Sequence, residues 1–138
     1  MTQASALKPS LYTVPEGADA VPALRGGRCV CGHVFFPMQT YGCEKCGRTG
    51  KALQPVLLAG TGQLVASARV LMHARKDRQA PFTVVSVRLD EGPVLRTLLA
   101  QDSAAPLPSG LRMRATLVEV GRADTGEPII DLRFAAAA

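Results

Sequence analysis

Apolar and polar positions alternate along most of the chain beyond residue 54. Residues 63–73 set Leu64, Ala66, Ala68, Val70 and Met72 against Val65, Ser67, Arg69, Leu71 and His73. Residues 81–89 place Phe82, Val84, Ser86 and Arg88 on one side and Thr83, Val85, Val87 and Leu89 on the other. A period of two is the signature of a strand with one buried face. Further runs at 55–59, 94–100, 111–120 and 129–134 predict the remaining strands. The breaks between them carry turn chemistry: Gly60-Thr61-Gly62, Asp90-Glu91-Gly92-Pro93, 106–110 and Asp124-Thr125-Gly126. The tail 135–138 is too short to form an element alone. Five or six antiparallel strands in about 80 residues suit a small closed barrel, because closure removes exposed edges. The predicted fold class is therefore mainly β, with a five- to six-stranded OB-fold barrel over 54–134.

The texture differs ahead of that barrel. Residues 1–24 contain three prolines and no sustained period, which predicts an extended docking arm with one short turn. Residues 25–53 hold all four cysteines in an 18-residue window, as Cys29-Val-Cys31 and Cys43-Glu-Lys-Cys46. Each pair ends in Cys-Gly, and glycine lets the backbone turn so that amide N–H groups point at sulfur. Four thiolates suit tetrahedral Zn²⁺, and a segment this small needs the metal to fold. The candidate ligands are Cys29, Cys31, Cys43 and Cys46. The first pair is one residue shorter than the usual C-x2-C. Either that knuckle is tightened, or one ligand is replaced, with His33 near enough to substitute. A vacant site and an iron-loaded one also stay open. Phe35-Phe36-Pro37 is expected to cover the metal site and pack the ribbon on the barrel.

Composition narrows the class. The 138 residues are 47 % hydrophobic and only 4 % aromatic, so the chain is globular with an aliphatic core. A formal charge of +5 is compatible with an anionic partner or with an ordinary solvated surface. No apolar run of 7–15 residues follows Lys8, which speaks against a secretory signal, and none spans a bilayer. The expected location is cytoplasmic, where thiols stay reduced and clustered cysteines bind metal.

Several phrases resemble one known family. They are residues 28–37 (Arg-Cys-Val-Cys-Gly-His-Val-Phe-Phe-Pro), Cys43-Glu44-Lys45-Cys46-Gly47, Gly60-Thr61-Gly62, residues 81–92 and residues 108–114. In this order the chain is similar to the acyl-CoA-associated zinc-ribbon/OB-fold accessory subunits. The resemblance implies a rubredoxin-like zinc ribbon followed by the barrel. It also implies a hetero-oligomer with a thiolase-fold catalytic subunit, such as an acetyltransferase, a hydroxymethylglutaryl-CoA synthase or a steroid side-chain aldolase. CoA or a CoA thioester would be a ligand of the complex.

Catalysis by this chain itself finds no support in the residues. The cysteines are committed to the ribbon, His33 and His73 have no paired nucleophile, and Asp90-Glu91 reads as a turn. A metal closed by four ligands leaves no position for substrate. The second reading is a single-stranded nucleic-acid-binding protein, which the charge permits. The central barrel strands offer one ring, Phe82, where such proteins stack bases on several. Nucleic acid is therefore not expected as the partner. The charged loop at 74–80 carries Arg75, Lys76 and Arg78. It is either a solvated hairpin tip or a grip on CoA phosphates.

Overall fold

A computed structural model describes residues 5–17, 20–72 and 80–137. Its strands are β1 (Ser5–Ala6), β2 (Leu24–Cys29), β3 (Val34–Phe35), β4 (Leu53–Leu58), β5 (Thr61–Val70), β6 (Phe82–Leu89), β7 (Val94–Leu98), β8 (Arg112–Arg122) and β9 (Pro128–Ala136). The one helical element among the described residues is a three-residue turn, Gly50–Ala52. None is long and apolar enough to cross a membrane.

The larger sheet runs β1-β9-β8-β5-β6-β7. It curls until β7 meets β9, where Leu99 and Phe134 form a parallel bridge and the Ala100 N–H donates to the Phe134 carbonyl at 2.8 Å. Strands β5 to β9 therefore follow the circuit of the OB barrel, partly open between its third and fifth strands. The alternation of β6 fixes its register: Thr83, Val85, Val87 and Leu89 point inward and are buried. A bulge between Leu64 and Ala66 lets β5 leave β8 and continue with β6 alone. Leu64, Val85, Val87, Leu89, Met113 and Phe134 form the centre of the aliphatic core.

The expected strands are present with shifted ends. The tail differs most: Ala135 and Ala136 belong to β9, opposite Arg114 and Met113. Four alanines cannot hold a strand alone, but β8 supplies the partner.

The smaller sheet, β3-β2-β4, carries the ribbon. Its Arg-Gly-Gly-Arg core does not look like a strand locally, yet β2 pairs with β4 from Leu24↔Leu58 to Cys29↔Leu53. The run expected at 55–59 thus pairs within the ribbon sheet. Leu24 and Leu58, at the far end of that pairing, enter the barrel core, while Cys29 and Leu53 sit in a second cluster with Phe35 and Cys43. Two strands therefore couple two cores.

The N-terminal segment lies on this same body. β1 adds in parallel to β9 through Ser5↔Ile129 and Ala6↔Ile130. Tyr12 is 1 % exposed and its hydroxyl donates to Asp131 Oδ1 at 3.0 Å. Burial disfavours the Asp131 carboxylate, but Arg133, the Leu132 N–H and Tyr12 outweigh it and hold its pKa below the usual range.

Candidate metal centre

The two cysteine knuckles lie at the Cys29–Leu53 end of the β2–β4 pairing, opposite the Leu24–Leu58 end that enters the barrel core. In the first, the Gly32 N–H returns to the Cys29 carbonyl at 2.8 Å and the Cys29 N–H donates to the His33 carbonyl at 2.9 Å. In the second, the Gly47 N–H returns to the Cys43 carbonyl at 2.8 Å and the Cys43 N–H to the Arg48 carbonyl at 2.8 Å. Each bond of the first knuckle spans one residue fewer than its counterpart. The shorter Cys29-Val-Cys31 spacing is thus a tightened turn. Gly32 and Gly47 sit at φ of 97° and 80°, a conformation that a side chain would strain.

The turns bring four sulfurs together. Cys29 and Cys46 are 3.5 Å apart, Cys31 and Cys43 are 3.8 Å apart, and all four Sγ atoms lie within 4.8 Å of one another. Metal–sulfur bonds of about 2.3 Å in a tetrahedron require sulfur–sulfur edges of roughly 3.8 Å. The four cysteines are therefore positioned to bind a metal ion, and the all-thiolate donor set fits Zn²⁺. Cys29 and Cys43 are buried against Phe35 and Leu53, and Cys31 and Cys46 are exposed.

His33 does not join the set. Its Nε2 lies 2.8 Å from Glu44 Oε1, and its ring stacks on Phe35 at 6.2 Å between centroids. Phe35 closes the ribbon core, while Phe36 packs against the barrel core. The expected cover of the metal site and the ribbon–barrel contact thus fall to different rings of one pair.

Electrostatics explain why a cation belongs there. The Arg48 N–H, aided by its guanidinium, overcomes burial and brings the Cys46 thiol down to about 6. Burial disfavours the Cys43 thiolate, but the N–H groups of Cys46 and Lys45 prevail and lower its pKa. The Cys31 N–H favours the Cys29 thiolate, yet burial and the sulfurs of Cys46, Cys31 and Cys43 push that thiol up to about 11. Four thiolates this close repel, and Cys29 resists ionising. A divalent cation removes that penalty.

Other candidate groups serve the fold. Asp90 accepts from Arg112 and from the Thr61 hydroxyl at 2.6 Å, and Glu91 Oε2 accepts from the Ala59 N–H at 2.7 Å. The carboxylates of the Asp90-Glu91 turn hold β5, β8 and the end of β4 in place. Arg75, Lys76, Arg78 and His73 lie outside the described residues.

No protein-family model and no curated protein matches this chain. Among solved structures, a chain of the "Ltp2-ChsH2(DUF35) aldolase" is similar, with a TM-score of 0.64 and 24 % sequence identity over 84 % of this chain and 86 % of that one. At that identity the likeness is one of fold.

Proposed function

We propose that this chain is a zinc-binding, non-catalytic accessory subunit of a thiolase-fold acyl-CoA enzyme complex, where it aids assembly and the binding of CoA or acyl-CoA. The observation that carries the reading is the union of a four-cysteine site with an OB barrel in one small chain. Every cysteine is taken up by that site, so none is left as the nucleophile that thiolytic cleavage needs. The aldolase with the similar fold carries two protein names, Ltp2 and ChsH2, in keeping with a barrel chain that works beside another protein. The resemblance of residues 28–37, 43–47 and 81–92 to the acyl-CoA-associated family supplies the substrate class.

Residues 35–47 narrow the proposal. They look most like the small zinc-finger subunit of the benzoylsuccinyl-CoA thiolase of anaerobic toluene degradation, which makes that complex the preferred assignment. Within it, Arg75, Lys76 and Arg78 would grip the CoA phosphates by charge-assisted hydrogen bonds.

The test is purification of the native complex, with mass spectrometry of the chains that accompany this one. A thiolase-fold subunit is expected, and thiolysis is expected from the complex while the isolated chain is inactive. Replacing Arg75, Lys76 and Arg78 together by Ala should weaken CoA binding to the complex by about tenfold or more, because three charge-assisted contacts are lost. Metal content and assembly should be unchanged. Recovery of the chain without a companion would overturn the accessory role. Unaltered CoA affinity in the triple variant would leave the loop as a solvated hairpin tip.

A further inference from the structure

The barrel wall is split between β7 and β9. The two strands meet only near Leu99 and Phe134. Earlier along β9, the Leu132 N–H donates to Asp131 Oδ1 at 2.8 Å, and the Leu132 carbonyl accepts from Arg133 Nη1 at 2.8 Å. Side chains therefore satisfy the strand edge, and no neighbouring strand is needed to close the gap. A cavity of about 330 Å³ lies there, walled by β6, β7, β9, the N-terminal segment and Phe36 of the ribbon.

Its lining is amphipathic. Phe36, Val84 and Leu98 give it apolar walls. Lys8, Arg96 and Arg133 bring three cations to the cavity, against the single carboxylate of Asp131. That carboxylate is already engaged by Tyr12, by Arg133 at 2.9 Å and by Lys8 at 3.7 Å. Two positive charges remain in excess, and the Arg96 guanidinium has no hydrogen-bond or ion-pair partner among the described residues. Binding sites for small molecules have this make-up, apolar walls with a few converging polar groups in a space of about 300–1,000 Å³.

We propose that this seam binds a small organic anion, a carboxylate carried on an apolar body. The carboxylate would lie against Arg96, whose planar fork suits two parallel hydrogen bonds, and the apolar part against Leu98 and Val84, which share the Arg96 face of the sheet, and Phe36. The site involves neither the four cysteines nor a partner chain, so it stands or falls apart from the accessory role.

The test is a titration of the full-length, metal-loaded chain with hexanoate, followed by amide NMR shifts, with hexanamide as the uncharged control. Saturable shifts are expected in residues 8–12, 95–98 and 131–133, with hexanamide binding about tenfold more weakly or worse. Arg96→Gln, on an exposed position of β7, should weaken hexanoate by about fivefold or more and leave the rest of the spectrum in place. Three results would overturn the site. They are no saturation below about 40 mM, shifts confined to other residues, or equal affinity for acid and amide.

Discussion

Cys43→Ser should strip the metal from the chain and melt the ribbon while the barrel stands. Cys43 is 4 % exposed, its sulfur lies 3.8 Å from Cys31, and it accepts the Lys45 N–H at 3.4 Å. A serine hydroxyl is a poor ligand for a thiolate-type site. The core left behind is only Cys29, Phe35 and Leu53, with Met38 packed beside it. Binding of structural zinc is worth roughly 10–16 kcal/mol in isolated zinc-finger peptides, far more than so small a cluster can supply. Metal content should therefore fall from about one per chain towards zero, and amides of residues 29–53 should lose protection from exchange. Amides of Leu64, Val85, Val87 and Met113 should keep theirs, because they belong to the other core. Leu24 and Leu58 are the informative boundary, since they sit in the barrel core on strands that begin or end in the ribbon. Full metal content with unchanged protection would remove Cys43 from the ligand set.

The second large effect lies in the N-terminal segment. Tyr12→Ala empties a fully buried aromatic site between the N-terminal segment and β9 and removes a donor to Asp131. Losing a buried aromatic side chain costs about 3–5 kcal/mol. At an m value of about 2 kcal/mol per M, the urea midpoint should drop by roughly 1.5–2.5 M. Tyr12→Phe separates the two contributions. It keeps the ring and loses the hydroxyl, so it should cost only about 1 kcal/mol, as Asp131 retains Arg133 and the Leu132 N–H. A midpoint unaffected by Tyr12→Ala would mean that the N-terminal segment is not held to the barrel in solution.

Tyr12 also shows where sequence reasoning stops. Strands β5 to β9 are legible because a half-buried strand writes its own period of two, and β6 shows it without a fault. The cysteine knuckles are legible because the ligands and their glycines are close in sequence. Tyr12 is a single residue in a stretch with no period, and its partner, Asp131, lies 119 residues away. β2 hides for a related reason. Gly26 and Gly27 weaken any strand signal, and only pairing with β4 makes the segment extended. The shortened first knuckle leaves two alternatives open in the sequence. Cys31 could reach the cluster, or His33 could replace it. Backbone hydrogen bonds and the His33–Glu44 contact decide between them in favour of Cys31.

Both the ribbon and the accessory role proposed for the chain depend on the metal. The decisive measurement is therefore elemental analysis of protein purified without added metal, read together with amide exchange over residues 29–53. About one zinc per chain and a protected ribbon are expected. A chain that carries no metal and still protects those amides, or one that carries iron in place of zinc, would contradict the zinc-built ribbon.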